Sequence, residues 1–422
     1  MGEHRRPLPA GVRRGGRLRI LLVADFYPPD SGGLEAHARR LARALITRGH
    51  EVAVATVAGG AGLPAMDDGV RVARWPTSVG RLKPLYRDRL RPFHPPWPDP
   101  AFTRRLGRLA AAFRPDVVHA HGWCAFSALA ACRPGAPLVV TLHDYGLRCP
   151  KKTLLRGGRE CATGRGTACL TCPGDEQGPA RRAALAVALA ATAGRLDRGV
   201  ARFLAVSEHV AARHVEGGLD PARVRVVPNF LDMPAGAEPP AAGDGPPAGV
   251  LYVGPAAAHK GRAVLLEAHR RLPAGLARLV VVGDGGPDAP GVEYAGRLDG
   301  DALWARYRAA AVVVVPSVWP EPCPTVALEA MGWGRPLVAS RTGGLLDLVA
   351  DGDSGVLVPP GDPAALAVAL RALLEDGGRR RAMGTAALAR AQAFSTDAVV
   401  PRIEATYREV ASREAAATAA TP

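Results

Sequence analysis

At 422 residues, 48% of them hydrophobic, the chain has material for two domains of ordinary size with real cores. Its 49 glycines and 39 prolines make about a fifth of the chain, too few for a disordered or fibrous protein. A net charge of +15 points to anionic partners such as nucleotides or an acidic membrane surface, or simply to an Arg-rich solvated surface, since no long Lys/Arg block follows residue 20.

The basic start, residues 1–18, reads as a mobile leader. The short run ILLVADF behind it serves better as a first strand than as a signal-peptide core. No stretch reaches the ~18 apolar residues of a membrane span. A cytoplasmic protein is expected, touching the inner membrane face at most peripherally.

RILLVAD (19–25) is the first strand, and YPPDSGG a turn-rich loop. Leu34, Ala38, Leu41, Ala42, Leu45 and Ile46 then recur at helical spacing until Gly49, and EVAVATV begins the next strand. Such strand–helix–strand units build parallel sheets. RPDVVHAHG and APLVVTLHD repeat the short apolar strand with a polar end, and ARFLAVS and VRVVPNFLD close the first half. His119 and His121 share one strand face; the strand-end position favours His121 for function and leaves His119 as a core histidine. His143 and Asp144, at another strand end, either contact an acceptor or cap the loop.

The segment that follows spaces four thiols as C-x11-C-x7-C-x2-C, at Cys149, Cys161, Cys169 and Cys172. This pattern suits a structural zinc, with free thiols or two disulfides as the alternatives. As an insertion, 149–172 would form a flap beside the cleft. Residues 233–249, MPAGAEPPAAGDGPPAG, have no periodicity and read as a linker.

Beyond it the alternation restarts with GVLYVG, GRAVLLEAHRRL, ARLVVVGDGG, AVVVVPS, RPLVAS and SGVLVPP. The expected organisation is α/β: two doubly wound Rossmann-like domains, 19–232 and 250–395, facing each other across a cleft, then a C-terminal helix and tail over 396–422. In such sheets ligands sit beyond the carboxyl ends of the strands, where every polar cluster of this chain falls. In WPEPCPTVALEA (319–330), Pro322 and Pro324 delay the helix, Thr325 is placed to cap it, and Glu321 and Glu329 flank its start. A helix N-terminus attracts anions, so carboxylates beside it suit a ligand both anionic and rich in hydroxyls, such as a nucleotide sugar. Alone, the two acids would be a loop acid and a dipole-compensating helix acid. A glycosidase pair would leave the lysine loop at Lys260 without a purpose. DGD at 299–301 and 351–353 reads as a helix cap and a turn, not as a metal site.

VGPAAAHKG (253–261), VGDGG, the Glu321/Glu329 E-x7-E pair, EAMGWGRPLVAS and GVLVPPGDP follow in the order seen in the retaining glycosyltransferases of family 4, which have the GT-B architecture. The first half adds YPPDSGGLEAHARRLARAL, VVHAHG, VTLHD and VPNFLD, so the resemblance covers nearly all of the chain after residue 18. It implies that Glu321 bonds donor-sugar hydroxyls and Glu329 the ribose. Amides at Thr325 and Val326 would hold the diphosphate with Lys260, and the backbone at Arg297 and Leu298 would meet the base. Gly32 and Gly33 would lie against phosphate or acceptor, and His121 near the reacting sugar. His143 and Asp144 would stand on the acceptor side.

Where the family usually carries a phosphate-binding arginine stands Pro255, and the family Phe-Gly after the first glutamate is Cys323-Pro324. Lys260 and the helix amides would then carry the diphosphate largely alone, with Arg262 aimed away. The expected activity is a retaining, hexosyltransferase-type transfer from a nucleotide sugar to an unidentified small-molecule, glycan or lipid-linked acceptor. No cofactor is required for catalysis and no nucleic acid is involved. The rivals are a nucleotide-sugar epimerase or glycogen-type synthase of the same fold, and a non-catalytic nucleotide-sugar-binding subunit, which Pro255 favours. A nicotinamide dehydrogenase is distant, because no GxGxxG opens a helix after the first strand.

Overall fold

Residues 16–29, 32–58, 65–81, 93–132, 136–162, 166–173, 178–239 and 249–419 are described in a computed structural model. The expected leader up to residue 15 and the centre of the expected linker, 240–248, lie outside them.

The first half folds as β1 (Arg19–Ala24), α1 (Gly33–Thr47), β2 (Glu51–Val57), β3 (Met66–Asp67), β4 (Val70–Trp75), α2 (Pro100–Phe113), β5 (Val117–His121), α3 (Ala125–Ala131) and β6 (Leu138–Leu142). A hairpin of β7 (Leu155–Arg156) and β8 (Arg159–Glu160), then α4 (Pro179–Gly199), β9 (Arg202–Ala205), α5 (Glu208–Val215) and β10 (Val224–Val226) complete it. The sheet order is β10-β9-β6-β5-β1-β2-β4-β3, parallel except for the short β3 edge. Its central strands are covered on both faces, which is why they read as unbroken apolar runs.

The second half runs β11 (Val250–Gly254), α6 (Arg262–Arg270), β12 (Leu279–Gly283), β13 (Val292–Gly296), α7 (Gly300–Ala309), β14 (Val312–Val315), α8 (Thr325–Gly332), β15 (Leu337–Ser340), α9 (Leu345–Leu348), β16 (Gly355–Val358), α10 (Pro363–Glu375), α11 (Gly377–Ala391) and α12 (Thr396–Ala419). This sheet is wholly parallel, in the order β13-β12-β11-β14-β15-β16. Strand order reverses between β1 and β5 in one sheet and between β11 and β14 in the other. Those two switch points are where a doubly wound sheet opens a crevice. Asp25 and His121 end the first pair of strands; the loops carrying Lys260 and Glu321 leave the second pair.

The C-terminal helix does not stay with the second sheet. Val399, Val400, Ile403, Tyr407 and Val410 of α12 are buried in one cluster with Ile20, Leu22, Val54 and Val117 of the first. Beside them Glu404 accepts from Arg48 Nε at 2.9 Å and lies 2.6 Å from His50 Nε2. The chain therefore crosses between the two units twice, and α12 is part of the first unit's packing.

Two capping expectations are corrected. Thr325 is the first residue of α8, not its cap; Pro324 holds the cap position without a side-chain bond. Asp299 precedes α7 without capping it, its side chain making no cap hydrogen bond.

Candidate active site

The β14–α8 loop is held in place from several sides. Pro322 and Pro324 stiffen it, and Glu321, only 2% exposed, lies at its turn. Gly344 N donates to Glu321 O at 2.6 Å. A Cβ on Gly343 would meet Glu321 O at 2.3 Å, and one on Gly344 would meet Pro322 O at 2.0 Å. The Gly343-Gly344 pair thus serves close backbone approach behind the glutamate. Across the cleft, Tyr145 Oη donates to Pro320 O at 2.8 Å and Asn229 Nδ2 to Cys323 O at 2.8 Å. The loop is one of the places where the two units touch.

Lys260 reaches Glu321 from the loop after β11. Its Nζ lies 2.8 Å and 3.1 Å from the two carboxylate oxygens, and Ser317 Oγ donates to Oε1 at 2.5 Å. The ammonium also stands 5.0 Å from the centre of the Trp319 ring. Glu329 projects from α8 and accepts from Tyr307 Oη at 2.8 Å. Burial raises its pKa; the Tyr307 bond and the Arg40 charge partly offset that.

The opposite wall is the N-terminus of α1. A Cβ on Gly33 would lie 3.7 Å from Thr325 Cγ2, so the starts of α1 and α8 converge to van der Waals distance. At α8, Pro324 carries no N–H and Ala327 N donates to Pro324 O at 3.1 Å, so the amides of Thr325 and Val326 are the ones presented there, and both positive dipole ends face one space. That space is a cleft of about 920 Å³, lined among others by Gly32, Gly33, His143, Asp144, Lys260, Glu321, Thr325, Val326 and Glu329. Its size matches a bound small molecule.

Arg39, Arg40 and Arg43 of α1 line it too. They add cations to the cleft wall that the expectations from sequence did not include. Arg39 is forked onto Asp67 at 2.8 Å and 2.7 Å, Arg43 pairs with Asp68 at 2.9 Å, and Arg40 donates to Phe230 O at 2.8 Å. EAHARRLARAL carried the signal, three arginines at i, i+1 and i+4. Arg262 donates to Asp284 O at 2.6 Å, away from the cleft. Arg297 is not brought to the wall: it is exposed and paired with Asp284 at 2.9 Å. Leu298 packs against the core, and the next residues, Asp299 and Gly300, line the cleft.

His121 is also displaced from its expected place. It is fully buried, and His143 rather than His121 lines the cleft. The two rings meet through Nδ1 of His121 and Nε2 of His143, 2.9 Å apart. His37 of α1, which periodicity had left unremarked, packs edge-on to His143 with centroids 4.7 Å apart. Burial pushes His37 and His121 well below the ordinary imidazole range. His143 is lowered to about 3, chiefly by burial and then by the Lys152 charge. Among the described residues these three neutral imidazoles are the one set of metal-ligating side chains with ligand atoms within 4.8 Å of one another. By donor type they would suit a late transition metal. Asp144, raised by burial, accepts from Gly146 N at 2.7 Å, so it both closes its loop and faces the cleft.

His119 is the core histidine. Its ring nitrogens lie 2.6 Å from Tyr407 Oη and 2.7 Å from Thr141 Oγ1, and burial holds its pKa at about 3. As pH falls below about 6.5 the unfolded chain takes up this proton while the folded one does not, until about 3. Stability is therefore expected to fall across that window, by about 2 kcal/mol at pH 5 from His119 alone. Urea unfolding at pH 7.5 and pH 5 measures it. His119→Gln should lose this share of the acid sensitivity, and an unchanged pH difference in that variant would contradict the assignment.

Residues 31–233 match the family described as Glycosyltransferase Family 4, and 247–376 match Glycosyl transferases group 1. The D-inositol 3-phosphate glycosyltransferase of Acidothermus cellulolyticus is 32% identical over 95% of this chain and 92% of its own. That of Geodermatophilus obscurus is 32% identical over 99% and 94%. Among solved structures, sucrose-phosphate synthase from Thermosynechococcus elongatus superposes with a TM-score of 0.73 at 22% identity, covering 94% of this chain and all of that one. Anabaena HepE, solved with UDP and with UDP-glucose, gives 0.65 at 20% identity over 92% and 99%. The fold is GT-B. No helix among the described residues is long and apolar enough to cross a membrane.

Proposed function

We infer that this chain, which belongs to glycosyltransferase family 4 and is a glycosyltransferase, takes its sugar from a nucleoside diphosphate donor and transfers it with retention. The observation that carries this reading is the convergence of the α1 and α8 starts on a cleft that also holds Lys260, Glu321 and Glu329. The diphosphate would sit in the cleft that both helix starts face, where amides at Gly32, Gly33, Thr325 and Val326 meet it. Glu329, braced by Tyr307, would accept from the ribose hydroxyls, and Glu321 from those of the sugar. Lys260, held on Glu321, would face the phosphate that leaves.

As the bond between the anomeric carbon and the phosphate oxygen breaks, negative charge grows on the diphosphate, where the ammonium and the helix starts stabilise it. The acceptor oxygen forms its bond on the same face and gives its proton to the departing phosphate oxygen. No protein carboxylate need act as nucleophile. The added arginines of α1 weaken the case for a non-catalytic subunit, which rested on Pro255. Because the curated relatives are named for D-inositol 3-phosphate, a phosphorylated polyol heads the acceptors to test.

Thermal unfolding with UDP, GDP, ADP and dTDP identifies the base. A ligand at 100 times its Kd should stabilise by about 2.7 kcal/mol. Glu329→Gln should lessen the shift for ribonucleotides most. If no nucleoside diphosphate raises the Tm of the wild-type chain, the donor-site reading fails.

A further inference from the structure

The segment 149–172 is folded with very little to hold it. Its only regular structure among the described residues is the two-residue-per-strand hairpin β7–β8 and a single turn at Thr167–Cys169. An isolated hairpin of this size is not stable in water. Apolar packing is sparse as well: Leu154 is buried, Leu155 only partly, and Leu170 is exposed. The backbone is nonetheless forced into positive φ at Lys152 (65°) and Leu154 (54°), which an unanchored loop would relax.

Four cysteines bracket this hairpin. Cys149 precedes β7, Cys161 directly follows β8, Cys169 ends the turn behind them and Cys172 follows that turn. All four line one small cavity; Cys149, Cys169 and Cys172 are buried and none is in a disulfide. Lys151 and Arg156 line the same cavity, positive charges suited to a site that carries net negative charge. Thiols from both ends of a hairpin and from a C-x2-C turn are what a tetrahedral thiolate site requires.

We propose that Cys149, Cys161, Cys169 and Cys172 bind one structural zinc ion that fixes the 149–172 segment against the first domain. On binding, each thiol gives its proton to solvent and no electron moves, so four thiolates replace the ion's water. No three of the four sulfurs lie within 4.8 Å of one another, so binding an ion there would require the hairpin ends to move inward.

The consequence reaches the cleft through Lys152. Its Nζ lies 3.3 Å from Asp25 Oδ2 and 3.8 Å from Asp144 Oδ2, and 4.4 Å from the Trp123 ring centre. Asp25 in turn accepts from Trp123 N at 3.0 Å and Cys124 N at 2.7 Å, at the switch point of the first sheet. Zinc would thus act as a positioning element for the Asp144 side of the cleft. Glu160, at the end of the hairpin, anchors its other side 2.9 Å from His209 Nε2.

The test is metal analysis of the full chain, grown with zinc and purified without chelator. About one zinc per chain is expected, falling below about a tenth in the Cys169→Ser, Cys172→Ser variant. Because that variant could misfold, the wild-type chain is also loaded with cobalt(II). Intense absorption with sulfur-to-metal charge transfer, retained in His37→Ala, assigns the ion to the cysteines. Weak absorption lost in His37→Ala would place the metal on the imidazole cluster and overturn the proposal. Zinc near zero in the folded wild-type chain would overturn it too, as would only three thiols reactive after unfolding without reductant.

Discussion

Lys260→Ala is expected to lower kcat/KM by ~10²–10³, the usual effect of removing one preorganised charge from a site that stabilises a leaving group. The structure adds a second effect that the cleft-facing position alone does not suggest. Glu321 is almost fully buried and Lys260 is its only cationic partner among the contacts described. Removing one member of a fully buried pair leaves the other uncompensated and costs about 3–5 kcal/mol, an upper bound here because the lysine is 27% exposed. Lys260→Ala should therefore lose Tm as well as turnover. The double variant Lys260→Ala, Glu321→Gln should recover much of the Tm, since the amide still accepts from Ser317 and carries no charge, while turnover stays low. Lys260→Arg should restore charge but only part of the rate, as a planar fork does not reproduce a compact ammonium. Activity within a few-fold of wild type in Lys260→Ala would remove this lysine from the chemistry.

Gly261→Ala should be nearly as damaging, although Gly261 is not among the residues that line the cleft. Gly261 has φ +72°, and an added Cβ would lie 1.8 Å from Pro316 O. The left-handed conformation alone costs a non-glycine residue ~1–2 kcal/mol, and the overlap forces the Lys260 loop away from the β14–α8 loop. Those loops are joined there, with Val318 N donating to His259 O at 2.9 Å. A shift on the order of 1 Å in a positioned catalytic group can cost ~10² in rate. The expected result is a lower Tm and a kcat/KM reduced by about that factor, with kcat falling more than KM rises. A variant with wild-type Tm and rate would show that the two loops are not coupled in this way.

The sheets were legible because buried parallel strands write themselves as apolar runs with polar ends, as in EVAVATV and AVVVVPS. Glu321 and Glu329 were legible because two prolines mark where a loop yields to a helix. What local pattern does not encode is pairing at a distance. His37 reads as one polar residue on an amphipathic helix until α1 is laid against the end of β5. Arg39, Arg40 and Arg43 read as a solvated face until α1 is placed opposite α8. His121 looked cleft-facing because it ends its strand, but His143, from the neighbouring strand, lies in front of it. The sequence marks 396–422 only as a C-terminal helix and tail, without saying which sheet it packs on; Tyr407 settles that by its contact with His119, 288 residues away. Thr325 failed as a cap because the backbone enters α8 one residue earlier, at Pro324.

The most direct measurement is proton NMR of the chain with UDP-glucose, or the nucleotide sugar chosen by the thermal panel, with and without an acceptor pool that includes D-inositol 3-phosphate. The account expects a new anomeric signal with the configuration of the donor, appearing with nucleoside diphosphate only when acceptor is present and falling at least ~10²-fold in Lys260→Ala. Conversion of donor without acceptor, or a product of inverted configuration, would contradict it.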